Sequence, residues 1–171
     1  MKNFSRFSIL AAVLLALAGS AGAVDLSTNA QVDIIEGITI TQTQALNFGV
    51  LVLNNGTVVV SAEDGSTTDA SFLISDATNI AQGVFDVTST VGSGLSVTCA
   101  AGTQPAGITL DSFTADWVDA GAEGAVPQTR TLAAATEQLE IGASITIDRT
   151  QATATSGTPA NLPYTVSVTF Q

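Results

Sequence analysis

Apolar and polar residues alternate one for one through much of this sequence. Leu139, Ile141, Ala143, Ile145 and Ile147 interleave with Gln138, Glu140, Gly142, Ser144, Thr146 and Asp148. Leu162, Tyr164, Val166, Val168 and Phe170 then interleave with Pro163, Thr165, Ser167, Thr169 and Gln171. A period of two puts every second side chain on one face of a strand, whereas a helix needs apolar residues three and four apart. Only Thr131–Glu137 hints at helical spacing. The constraint is therefore an all-β chain with half-buried sheets.

The same pattern recurs upstream, with turn residues between the runs. Val24, Leu26, Thr28, Ala30, Val32 and Ile34 alternate with Asp25, Ser27, Asn29, Gln31 and Asp33. Ile35 breaks the rhythm, and Glu36-Gly37 suggests a bulge or bend before Ile38 and Ile40. Asn55-Gly56 lies between Val50–Leu53 and Thr57–Val60, which reads as a hairpin because Asn-Gly suits the positive φ angles of a type I′ turn. Further strands are expected at Ser71–Ile74, Val84–Val91, Leu95–Cys99 and Ile108–Trp117. In the second of these Phe85, Val87 and Val91 share a face. Many short strands without long helical patterns between them predict an antiparallel β-sandwich. Its expected core includes Val87, Ile141, Ile145, Val166 and Val168.

Residues 1–23 read as a secretory leader. Lys2 and Arg6 supply a positive start, Phe7 to Ala18 an apolar run, and Ala21-Gly22-Ala23 a small-x-small cleavage pattern. The apolar run is well short of the roughly 20 residues that span a bilayer. The domain proper is then 24–171. It keeps two arginines, Arg130 and Arg149, against 15 carboxylates, a net charge of 2 − 15 = −13. Such a surface repels phosphate backbones and anionic lipids, so neither nucleic acid nor membrane is an expected partner after cleavage. Alternating strands also build outer-membrane barrels, but those carry aromatic girdles. Trp117, Tyr164 and five phenylalanines are too few here.

The residues also resemble a known pattern. Ile38-Thr39-Ile40 followed by Ala45-Leu46-Asn47-Phe48-Gly49 forms an I-T-I…L-x-F-G opening, and Val84-Phe85-Asp86-Val87-Thr88 forms a central F-x-V-T strand. Leu139-Glu140-Ile141-Gly142-Ala143 and Tyr164-Thr165-Val166-Ser167-Val168-Thr169-Phe170 complete it. Together they resemble a family of secreted bacterial proteins known as a domain of unknown function, similar in pattern to spore-coat protein U and to chaperone–usher pilin subunits. The resemblance implies an immunoglobulin-like, pilin-like sandwich, export to the periplasm or bacterial cell surface, and a surface or filament role. It implies no catalytic residues. Many pilin subunits carry a cysteine pair, and this chain has only Cys99.

The reactive side chains support a non-catalytic reading. There is no histidine to serve as base or imidazole ligand. Cys99 therefore has no partner base for nucleophilic work, and it continues the Leu95, Val97 face as a structural core residue. An intermolecular disulfide is the other use of an odd cysteine in a secreted protein. Glu63, Asp64, Asp116, Asp119 and Glu123 could supply paired carboxylates for glycoside hydrolysis, but the aromatic platforms for sugars are missing. Asp111, Asp116, Asp119 and Glu123, or Glu63, Asp64 and Asp69, could supply oxygens to calcium, yet neither stretch fits D-x-[DN]-x-[DN]-G. Both groups read as solvated loop charge. Asn55-Gly56-Thr57 matches a glycosylation sequon that the turn already explains.

No catalytic, cofactor or metal site is expected. The expected function is an exported structural protein that self-assembles by strand exchange, with a periplasmic chaperone and an usher as possible partners and Val24–Ile34 as donor strand. That segment could instead pair within its own sandwich. A monomeric extracellular or periplasmic binding module, an adhesin, is the alternative. N-terminal sequencing of exported protein should give Val24 as the first residue; an uncleaved apolar segment in the membrane fraction would overturn the leader.

Overall fold

Threonine and valine suit a pleated, half-buried surface, and the described residues lay them out as twelve strands. A computed structural model describes residues 37–69, 73–120, 122–155 and 158–171. The leader and the Val24–Ile34 segment lie outside these residues, as does the bend expected at Ile35–Glu36. The strands are β1 (Thr39–Gln44), β2 (Val50–Leu51), β3 (Gly56–Val60), β4 (Thr67–Asp69), β5 (Ile74–Asp76) and β6 (Gly83–Thr88). They continue as β7 (Gly94–Ala101), β8 (Ile108–Trp117), β9 (Gly124–Ala125), β10 (Gln128–Thr131), β11 (Thr136–Ile147) and β12 (Tyr164–Phe170). The fold is all-β: every pairing is antiparallel, and the described residues contain no helix.

A seven-stranded sheet runs β1-β6-β11-β3-β4, with β8 on the other side of β11 and β9 beyond β8. A three-stranded sheet runs β10-β7-β12, and β2 pairs β5 in a small third sheet. One apolar cluster joins the two larger sheets. Val58, Val60, Val87, Leu139, Ile141 and Ala143 come from the first, and Leu95 and Val97 from β7. All are fully buried, as is Trp117 at the end of β8. Each such aliphatic side chain contributes about 1.5–3 kcal/mol relative to exposure.

β11 is the longest strand and meets three neighbours. Its first half pairs β6, from Thr136 with Thr88 to Ile141 with Gly83. Its second half pairs β3 on the same side, from Ala143 with Val60 to Ile147 with Gly56. β8 runs along its other side from Leu139 to Ile147. The handover from β6 to β3 falls at Gly142, where a Cβ would lie 2.4 Å from the Val60 carbonyl oxygen and 2.5 Å from the Ala62 nitrogen. The facing strand bulges at the same place, between Gly142 and Ser144, with Ser112 at φ 48°.

Three expectations are corrected. Asn55-Gly56 does not turn a hairpin: β2 pairs β5, and β3 pairs β11 and β4. Asn55 is not among the positive-φ residues that a type I′ turn requires. Its side-chain oxygen instead accepts the Arg149 backbone N–H at 2.7 Å, tying the end of β11 to the start of β3. Val166 and Val168 are half-buried rather than buried, because β12 is an edge strand with only β7 beside it. Val91 sits in the turn after β6 and is 56% exposed, so it does not share the burial of Phe85 and Val87. The short strands β4, β9 and β10 were not expected from the sequence. Ser71 and Phe72 of the strand expected at Ser71–Ile74 lie outside the described residues. Residues 133–135, near the weak helical hint, form bends between β10 and β11.

Ile141→Ala should cost about 2–5 kcal/mol in denaturant unfolding, the range for truncating a buried aliphatic residue. Val166→Ala should cost clearly less. Equal losses would contradict the placement of β12 at an open edge.

Candidate functional site

An edge strand leaves half its backbone N–H and C=O groups without a sheet partner. β12 is such a strand. It exchanges hydrogen bonds with β7 from Tyr164 opposite Ala101 to Phe170 opposite Leu95, and no described strand lies on its other side. Its alternation turns Tyr164, Val166 and Val168 toward the core, where each is half-buried. In the larger sheet β1 is also an edge, held only by β6, and all six of its residues are exposed. Ile40 pairs with Val87 yet remains 38% exposed.

Between these edges runs an open groove of about 240 Å³, lined by Ile40, Gln42, Phe85, Tyr164 and Val166. Its floor is rigid. Tyr164 stacks on buried Phe113 with ring centroids 5.7 Å apart. Gly83 makes room for the phenol, since a Cβ there would approach the Tyr164 hydroxyl to 2.8 Å. Burial pushes the Tyr164 hydroxyl pKa up. Neither β1 nor β12 carries a charged residue, so the groove is uncharged, with Ile40, Phe85 and Val166 as its apolar lining and Gln42 and Tyr164 as its polar one. It offers a main-chain edge and a row of apolar contacts; it holds no nucleophile, base or ligand cluster.

Cys99 lies one strand in from the groove, opposite Val166. It is half-buried against the core, and burial pushes its thiol up to about 11. The structure thus puts it with Leu95 and Val97, as the alternation requires.

Most of the acidic residues separate. Asp111 and Asp119 are exposed, and Asp111 accepts the Ser144 hydroxyl. Glu63 and Asp64 are exposed on the turn after β3, where Asp64 accepts the Ser66 N–H at 2.8 Å. Asp69 accepts the Ile74 N–H at 2.6 Å. Among the described residues no group of three or more Cys, Asp or Glu is placed to hold a metal ion. Asp116, however, is only 5% exposed. Glu123 is half-buried, with the Ser61 hydroxyl donating to it at 2.6 Å. Burial alone would raise the Glu123 pKa. Hydrogen bonds from Ser61, Thr114 and the backbone of Ala62 and Glu63 outweigh it and hold the carboxylate below its ordinary value.

Sequence reasoning missed Glu137. It is buried, takes the Arg130 guanidinium at 2.8 Å, and accepts the backbone N–H groups of Ala133 and Ala134. Burial opposes its ionisation, but these partners prevail and lower its pKa. The spacing of Arg130 and Glu137 across a bend was the available signal.

A protein-family profile described as "Domain of unknown function (DUF4402)" matches residues 38–170. The chain belongs to this family. The match takes in every strand from β1 to β12, and with them both walls of the groove. No curated protein and no solved structure matches the chain.

In the native state at pH 8, Cys99 should react with a thiol reagent far more slowly than a free cysteine, because little thiolate exists so far below its pKa. Denaturant should restore the ordinary rate. Rapid labelling of the folded protein would place the thiol outside the β7–β12 packing.

Proposed function

We propose that this protein is an exported, non-catalytic structural subunit that assembles by accepting an extended segment into the groove between β1 and β12. On this reading the sandwich is immunoglobulin-like and pilin-like, and it works at the bacterial surface or in the periplasm. One observation carries the proposal: among the described residues nothing pairs the outer side of β12, and half-exposed apolar side chains stand beside it. Main-chain hydrogen bonds to a sheet edge supply affinity, and alternate side chains entering the groove supply register.

Proteins that stay monomeric usually blunt their edges with charge, proline or bulges. β12 reads Tyr-Thr-Val-Ser-Val-Thr-Phe and has none of these. β1 bulges between Gln42 and Gln44 but is also uncharged. The proposed occupant is Val24–Ile34 of a second copy, whose even positions are apolar or small. Exchange of that kind is head-to-tail, so it propagates as a filament instead of closing as a dimer. A periplasmic chaperone and an usher would be the fitting assembly partners.

The decisive experiment deletes residues 24–31 behind an intact leader and compares the product with the full chain by sedimentation and electron microscopy. The truncated domain should stay folded and monomeric, and added Val24–Ile34 peptide should bind it. Ile40→Asp, at an exposed position, should keep the fold and abolish assembly. A truncated chain that unfolds, with a full-length protein that is monomeric at every concentration, would defeat the proposal and leave the binding-module alternative.

A further inference from the structure

Three carboxyl groups stand side by side on the outer face of the large sheet. Glu140 of β11 pairs directly opposite Asp116 of β8. β8 then pairs β9 through Thr114 with Ala125 and Ala115 with Gly124, and the next residues along the two chains are Asp116 and Glu123. Residues opposite one another in an antiparallel pair have Cβ atoms about 4.5–5.5 Å apart, and like charges there are destabilising. Asp116 is 5% exposed, and its Oδ1 is buried with no hydrogen-bond partner. The Trp117 backbone hydrogen-bonds the carboxylate, but burial outweighs it, so a charged Asp116 with one oxygen unserved between two other acids is costly.

Among the described residues none supplies a cation to this row. From the segment before β6, Gln82 donates to Glu140 at 3.3 Å. From β6 the neighbour of Glu140 is Val84, and Asp86 stands one row further along the same face. From the turn after β3, Ser61 is spent on Glu123, and Glu63 is exposed. Arg130 is taken by Glu137, and Arg149 lies beyond the far end of β11. Glu123 holds its charge through its own donors, so relief must come from the other two acids.

We propose that Asp116 and Glu140 share one proton, forming a carboxyl–carboxylate pair that clamps β8 to β11 and is strongest in mildly acidic solution. The shared proton turns one acid into a donor, gives the buried oxygen its missing partner, and removes one of the facing charges. The direction of the titrations agrees. Burial raises the Asp116 pKa, with Glu123 adding repulsion; burial also raises Glu140, with Asp116 adding repulsion. Acids that bind protons more tightly folded than unfolded add stability as pH falls toward and through their raised folded values. Asp64, Asp76, Asp148, Glu123 and Glu137 are shifted the other way. Their contributions are lost only as pH drops below the ordinary carboxylate range of about 4. A stability optimum between these regimes follows. The inference is independent of strand exchange.

The test measures the unfolding midpoint of the full-length protein and of Asp116→Asn from pH 7.5 to 4.5, with carbon-13 shifts of the carboxyl groups followed by NMR. The wild-type midpoint should rise as pH falls through this range. Asp116→Asn should be at least as stable as wild type near pH 7.5 and should lose most of that rise. Glu140→Gln serves as the second variant, and the wild-type Asp116 and Glu140 resonances should titrate above their ordinary values, each responding to the other. Three results would overturn the proposal: ordinary, independent titration of both acids; a pH slope unchanged in both variants; or a wild-type midpoint at pH 7.5 raised by millimolar calcium and not in Asp116→Asn, which would assign the oxygens to a cation.

Discussion

The hydrogen-bond ladder of β11 is the interaction on which the larger sheet depends. One strand of twelve residues serves β6 with its first half, β3 with its second half and β8 with its other edge. Two different strands can share one side only if the chain of one leaves where the other arrives. Gly142 makes that possible, because the Val60 carbonyl and Ala62 nitrogen occupy the space a side chain would need. Any residue with a Cβ would force β3 away from β11 and disturb the Ser61–Glu123 contact beside it. The outer-face glycine, which looks like a weak point in a strand, is thus the place where three segments of backbone meet.

Local alternation made the strands legible, and topology was not. β8 has the bounds that the sequence suggests, and the apolar faces of β6, β7 and β11 are those that period two requires. The reading failed where one signal had two outcomes. Asn55-Gly56 between valine-rich runs is compatible with a hairpin, but the run before it pairs β5 and the run after it pairs β11, about ninety residues away. Strands as short as β9, or as polar as the Gln-Thr-Arg-Thr of β10, give no periodicity to detect. Val166 alternates as cleanly as Ile141, yet one sits on an edge and the other at the centre, a difference that depends on neighbours alone.

The candidate sites follow the same logic. The groove exists because Ile40 and Val166 belong to edges of different sheets, and no spacing in the sequence announces it. The acidic row is built from Asp116, Glu123 and Glu140. The first two stood out as acids near each other in the chain, and the third was hidden as the polar member of an alternating strand. Charge is distributed to match: apart from buried Glu137, the described carboxylates lie on loops and on the outer face, while the two edges bordering the groove are neutral. If two copies meet at this groove, long-range repulsion and local neutrality act in opposite directions, and salt screens the first.

The position of β11 along the chain sets the order in which structure can appear. β1, β3 and β6 all precede it, and none of them can join a completed sheet before residues 136–147 are available. Contacts between residues so far apart in sequence must wait for the loop between them to close, so folding is late and cooperative rather than progressive. β1 with β6, β2 with β5 and β3 with β4 can pair within residues 39–88, but the larger sheet stays incomplete until the strand that joins them has been made.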